Sequence, residues 1–178
     1  LHQAELYFPL KLFTCHACFL VQVDEVQDHT ALFSNDYVYF SSFSKSWLAH
    51  AKQYAEAACT ELKLKSDSLV VEIASNDGYL LQYFQDKQIP CVGIEPTTST
   101  ANAARMKGIE TIERFYGQEF AQEFSAKRGK ADLVIGNNVL AHVPDINDFV
   151  SGVAVLLKDA GVASFEFPHI MEMIANKQ

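Results

Sequence analysis

The run Val-Val-Glu-Ile-Ala-Ser-Asn-Asp-Gly-Tyr-Leu-Leu, residues 70–81, decides the fold. It opens as a continuous apolar stretch, Leu69 to Ile73, of the kind a strand buried on both faces requires. A polar turn follows at Ser75-Asn76-Asp77, and the pattern predicts a helix over Gly78 to Asp86. Ala74, Asn76 and Gly78 fall on alternate positions, where small residues let the backbone approach a ligand at the strand's carboxyl end. A dinucleotide site would instead use G-x-G-x-x-G, with bare amides facing a pyrophosphate. Here Glu72 and Asp77 bring carboxylates to that place. They repel a pyrophosphate and suit the amino group and sulfonium of S-adenosylmethionine.

Beyond the turn, strand and helix patterns alternate. Strands are predicted at Cys91–Glu95, Thr111–Ile112, Asp132–Gly136 and Gly161–Glu166, and helices at Thr98–Met106, Gln118–Ala126 and Ile146–Leu157. Short β-α-β crossovers of this length imply an α/β, Rossmann-like parallel sheet with helices on both faces. Gly93-Ile94-Glu95-Pro96 puts Glu95 at the end of the second strand, where a carboxylate can accept from both ribose hydroxyls. Nicotinamide enzymes share that pairing, so Glu95 alone indicates a nucleoside without fixing the cofactor. The acidic first turn then favours S-adenosylmethionine over NAD. The fourth strand runs into Asn137-Asn138-Val139-Leu140-Ala141-His142, at the crevice where open parallel sheets bind ligands. The carbonyl oxygen of Asn137 or Asn138 can hold the methionyl amine. His142 can exchange a proton with a substrate oxygen.

Upstream, Cys15-His16-Ala17-Cys18 precedes an alternating stretch, Phe19 to Val23, that suits a short strand. Apolar residues from Trp47 to Leu64 recur at three- and four-residue steps, a helix that Ser44 or Ser46 can cap. The chain therefore divides into residues 1–43, a linking helix over 44–66 and a nucleoside-binding unit over 67–178. The 178 residues carry a net charge of −8 without a basic run, which argues against nucleic acid. No stretch approaches the ~20 apolar residues that span a bilayer, and no secretory leader is seen, so a cytoplasmic location is expected. Four cysteines in such a chain do not indicate a disulfide framework. Cys59 and Cys91 read as buried thiols.

Taken together, residues 70–81, Val92 to Ala104 and Ala131 to Val150 resemble the nucleotide-deoxysugar C-methyltransferases that act on keto-sugars. The N-terminal segments Phe8-Pro9-Leu10, Cys15-x-x-Cys18 and Asp36-Tyr37-Val38-Tyr39-Phe40-Ser41-Ser42 share the resemblance, which covers nearly the whole chain. It implies that Glu72, Ala74, Asn76, Asp77, Gly78 and Glu95, with Asn137 or Asn138, bind S-adenosylmethionine. It implies active-site roles for Tyr37 and His142, a nucleotide-linked sugar as substrate, and methylation of carbon through an enolate. At Ala74 the family usually has glycine, a departure expected only to remove some room.

The family also carries an N-terminal zinc module. Cys15 and Cys18 supply one of its two knuckles, so structural zinc is expected mainly in a longer protein. The resemblance puts a tyrosine-glutamate-histidine segment just past Gln178. The chain is accordingly expected to be a piece that binds cofactor without being a complete catalyst. If the sheet ends at its fifth strand, Val162 to Glu166 is an open edge and self-association is expected. Two further readings stay open, a non-catalytic nucleoside-binding module and an NAD-dependent oxidoreductase.

Overall fold

A computed structural model of the chain describes residues 8–9, 11–24, 33 and 38–177; Tyr37 and His2 lie outside them. Near the N-terminus β1 (Leu12–Thr14) and β2 (Val21–Val23) pair antiparallel as a hairpin. A 3₁₀ turn at Ser41–Phe43 leads into α1 (Lys45–Glu61), where the Ser44 hydroxyl accepts from the Trp47 amide at 3.2 Å and caps the helix.

The alternating units follow as β3 (Val70–Ile73), α2 (Leu81–Gln85), β4 (Cys91–Ile94), α3 (Thr98–Met106), β5 (Thr111–Ile112), α4 (Gln118–Arg128), β6 (Ala131–Asn137), α5 (Ile146–Leu156) and β7 (Leu157–Glu166). A last short helix, α6 (Ile170–Asn176), was not signalled by the sequence pattern. The strands form one sheet in the order β5-β4-β3-β6-β7, and every neighbouring pair is parallel. This is the α/β arrangement expected from the sequence, with β7 and the two-residue β5 at its edges. Between Leu157 and Val162, β7 loops past the single β6 position Asp132. The carboxylate there accepts from Leu69 N–H at 2.7 Å and from Lys158 Nζ at 2.8 Å.

Each face of the sheet buries its own apolar layer. Val70, Leu133 and Ile135 pack with Ala51, Ala55 and Ala58 of α1 and with Leu81 and Phe84 of α2. Val71, Ile73, Ile94 and Val134 pack on the other face with Phe120 and Phe124 of α4 and with Phe149, Val153 and Leu156 of α5. Every residue of β3 is buried, which is why that strand reads as an unbroken apolar run with one acid in it.

The exit from β3 departs from the expected helix start. Ala74, Asn76 and Gly78 have φ of 56°, 50° and 73°, so left-handed residues alternate through the turn and the helix begins at Leu81. At Gly78 an added Cβ would lie 2.4 Å from Ile109 Cδ1 and 3.3 Å from Ala104 Cβ. That glycine serves both the turn angle and close packing. Ala74 holds the same kind of backbone without glycine's freedom, which costs about 1–2 kcal/mol. The departure at this position is therefore conformational as well as steric. We expect Ala74→Gly to stabilise the fold by about 1 kcal/mol and Gly78→Ala to destabilise it by about 1–3 kcal/mol. Urea unfolding midpoints measured side by side check both signs.

Candidate active site

From β3 the chain proceeds outward through β4 and β5, then returns to the other side of β3 to build β6 and β7. The strand order therefore reverses between β3 and β6, and a crevice opens at their carboxyl ends. It is a cavity of about 620 Å³, with Ala74 and Asn76 from the β3 exit, Glu95 from the β4 exit, and Asn137, Asn138 and His142 from the β6 exit on its wall. That volume suits a small-molecule ligand. Glu72, Asp77 and Gly78 are not on the wall.

Glu95 is 4 % exposed. Its Oε2 accepts from Asn76 N–H at 2.9 Å, and its Oε1 accepts from Thr97 N–H at 2.9 Å and Thr97 Oγ1 at 2.5 Å. The next two amides of the turn are also spoken for: Asp77 N–H donates to Asn76 Oδ1 at 2.9 Å and Gly78 N–H to Ser75 O at 3.0 Å. Amides that would face a phosphate in a dinucleotide site are bonded inward here.

The negative charge expected of this turn is redistributed. Asp77 is buried and turned away, its Oδ2 accepting from Lys107 Nζ at 3.0 Å and from Ser42 Oγ. Glu72 is fully buried, and among the described residues neither of its carboxyl oxygens has a hydrogen-bond partner of normal geometry. Burial, reinforced by the neighbouring Glu95 and Asp77 charges and opposed by Tyr79, pushes its carboxyl well above the ordinary carboxylate range.

At the β6 exit, Asn137 Nδ2 donates to the Tyr79 hydroxyl at 3.0 Å, and Tyr79 stacks on Trp47 with ring centroids 5.9 Å apart. Burial first, then the Glu72 charge, raise the Tyr79 phenol above its usual range. Asn138 has φ 53° and its N–H donates to Glu166 O at 2.7 Å, carrying the pairing of β6 with β7 one residue further. His142 stands exposed on a 3₁₀ turn, its ring edge-on to Phe33 at 6.0 Å.

The wall also includes Tyr39, Ser41, Trp47, Tyr79, Arg114, Phe115, Tyr116, Asp145 and Asp148, which the sequence reading did not assign to the site. Trp47 carried a weak signal, as a bulky aromatic that the periodicity gave to a helix, and Tyr79 fell inside the helix expected over Gly78 to Asp86. Tyr116 follows the shortest strand of the sheet and offered no pattern at all. Its hydroxyl is buried without a hydrogen-bond partner among the described residues, and burial together with Asp148 pushes the phenol up.

Cys15 and Cys18 share the tight turn between β1 and β2. Cys15 N–H donates to Leu20 O and Phe19 N–H to Cys15 O, each at 2.9 Å, with Phe19 at φ 62°. Backbone hydrogen bonds from Cys18 and Ala17, then the Cys18 side chain, pull the Cys15 thiol below its ordinary value. The pair can supply two of the four ligands of a tetrahedral zinc site. Among the described residues no group of three or more His, Cys, Asp or Glu is arranged for a metal, and no helix is long and apolar enough to cross a membrane.

A family described as "Methyltransferase domain" matches residues 45–172. Over 174 residues the chain is 32% identical to the C-methyltransferase NovU of Streptomyces niveus, covering 98% of this chain and 41% of that protein. The chain thus spans about two fifths of the length of that relative. The solved PH0226 protein of Pyrococcus horikoshii OT3 superposes with a TM-score of 0.60 at 18% identity, over 78% of this chain and 62% of that one. The plantazolicin methyltransferase BpumL, solved with a pentazolic desmethylPZN analog and SAH, superposes with a TM-score of 0.56 at 13% identity, over 83% of this chain and 55% of that one. At such identities the two structures establish likeness of fold.

Glu72 gives this region a measurable pH dependence. The folded chain holds the Glu72 proton more tightly than the unfolded chain does. Stability from this group is therefore complete below the ordinary value of 4.5 and is lost as pH rises toward the elevated folded value. Relative to wild type, Glu72→Gln should gain stability with rising pH, by up to about 1.4 kcal/mol per pH unit within that window. Urea unfolding of both proteins from about pH 5 to 8 reads the difference, and a constant offset would contradict it.

Proposed function

The chain belongs to the methyltransferase domain family, and from that membership we propose that its cavity holds S-adenosylmethionine. We further propose that the whole protein methylates a carbon of a nucleotide-linked keto-deoxysugar through an enolate. The observation that carries the cofactor reading is the inward bonding of the Asn76, Asp77 and Gly78 amides beside Glu95 on the cavity wall. A pyrophosphate would find these three amides already bonded and a carboxylate next to them. A ribose and a cationic sulfur centre find a hydrogen-bond acceptor and a favourable field. The unpartnered Tyr116 hydroxyl adds a polar group that a ligand can satisfy. Likeness to a C-methyltransferase over nearly all of the chain supports carbon as the methylated atom.

When bound, S-adenosylmethionine supplies an electrophilic methyl group on a sulfonium. The chain's own residues bind and orient. Glu95 has an acceptor site left on Oε2 for a ribose hydroxyl, and the Asn137 and Asn138 carbonyl oxygens can take an amine. Ala74 keeps the β3 exit low enough for a ligand to lie across it. His142, on its exposed turn at the β6 exit, would hold or move a proton at the acceptor's oxygen, with Tyr37 orienting the sugar. Trp47, Tyr79 and Phe149 give the wall an apolar part that excludes water. Holding both reactants in one crevice would supply much of the rate.

Calorimetric titration separates this reading from a nicotinamide enzyme. We expect S-adenosylhomocysteine to bind and NAD not to, and Glu95→Gln to weaken S-adenosylhomocysteine by about 10- to 100-fold. NAD binding without S-adenosylhomocysteine binding would sink the proposal. Turnover of a keto-sugar by the whole protein, compared with His142→Ala, distinguishes an enzyme from a nucleoside-binding module.

A further inference from the structure

The turn that follows β3 holds more than its own backbone. We propose that Asn76 and Asp77 are positioning residues that fasten the segment Tyr39–Ser44 as a strap along the cavity wall, an inference that rests on the nucleoside-site reading for its ligand arm. Asn76 pairs with the strap as a neighbouring strand would: its Nδ2 donates to Tyr39 O at 3.0 Å and its Oδ1 accepts from Ser41 N–H at 2.9 Å. Asp77 extends the pairing, its Oδ1 accepting from Ser42 N–H at 3.3 Å and its Oδ2 from Ser42 Oγ.

Lys107, just past α3, closes the clamp from behind by donating to Asp77 O at 2.8 Å and Oδ2 at 3.0 Å. Asn76, Asp77 and Ser41 are 8 %, 1 % and 7 % exposed, so the central bond from Ser41 N–H to Asn76 is made out of water and is costly to leave unmade. The far end of the strap is tied as well, by the 3₁₀ turn and by the Ser44 cap on Trp47 N–H.

Two features give the clamp a role beyond local stability. Tyr39, Ser41 and Trp47 all lie on the cavity wall, so the strap sets the shape that an acceptor meets. Asn76 also donates its own N–H to Glu95, so one residue joins the ribose-side carboxylate to the strap. Its φ of 50° would be relaxed by glycine, and the side chain is what glycine could not provide. A ligand engaging Glu95 therefore steadies Asn76, and with it the wall facing the acceptor.

Trp47 is the chain's single tryptophan, which makes its emission a specific reporter. Amide hydrogen exchange at Ser41 and Ser42 reads the clamp directly. In Asn76→Gly both amides should exchange about tenfold faster or more, while the β3 and β6 amides keep their protection. Ser42→Ala should give a smaller rise in the same two amides, and Ser42→Thr should restore them. In wild type, S-adenosylhomocysteine should slow their exchange further and shift Trp47 emission, and Asn76→Gly should lose that shift. Unchanged Ser41 and Ser42 protection in Asn76→Gly overturns the proposal. So does loss of S-adenosylhomocysteine affinity with the strap amides still protected, which would give the carboxamide to the ligand. If wild type takes up no S-adenosylhomocysteine, the function proposed above fails, and the exchange rates still decide the clamp.

Discussion

A single buried carboxylate organises the centre of this molecule. β3 and β4 run parallel with Ile73 beside Ile94, so their exits emerge side by side with backbone amides pointing into a crowded space. Buried amides must find partners, and Glu95 serves both exits, with one oxygen on Asn76 N–H and the other on Thr97 N–H. To bring Asn76 there, the chain takes three alternate left-handed residues, and the helix that should follow the strand waits until Leu81. The left-handed turn projects the Asn76 side chain toward the N-terminal segment and leaves Asp77 beside Lys107. Ligand wall, helix start and strap all follow from where one acid sits at the end of β4.

The order of elements was legible because burial writes itself into composition. A parallel strand covered on both faces must be apolar throughout, as Val70 to Ile73 and Leu133 to Ile135 are, and the intervening helices follow at short spacing. Thr98–Met106 and Thr111–Ile112 come out as read. What failed to show was anything decided by a distant partner. Residues 78–80 look helical, yet Gly78 has φ 73°, outside the helical region, with Ile109 and Ala104 closing the space a side chain would need. The hairpin strand Leu12–Thr14 has too few residues to display a period, and α6 is short and exposed.

The site divides along the same line. Glu95 and Asn137 sit at strand ends and His142 on the turn just past β6, and position along the sequence is enough to place them in the crevice. Tyr116, Trp47 and Tyr39 reach the same cavity from a loop, a helix start and a segment before the first helix. Only the folded chain brings those together. Asp77 shows the converse, since sequence puts it in the ligand turn and Lys107, thirty residues on, claims its charge.

Charge at the site obeys a further restriction. Glu72, Asp77 and Glu95 are buried near one another, and the neighbouring carboxylates make Glu72 harder to ionise. Glu72 yields because it is fully buried and, among the described residues, no cation pairs with it, so its carboxyl is pushed well above the usual range. Asp77 instead pairs with Lys107 at 3.0 Å. That leaves Glu95 to face the cavity, joined by Asp145 and Asp148, whose oxygens cap the amides that open α5 and α4. Arg114 does not neutralise them, since its guanidinium pairs with Glu123 at 2.8 Å and lies over Phe120. Capping consumes lone pairs and leaves the negative charge in place, so the wall retains an acidic field. A cationic ligand gains from that field, and an anionic one would have to enter against it.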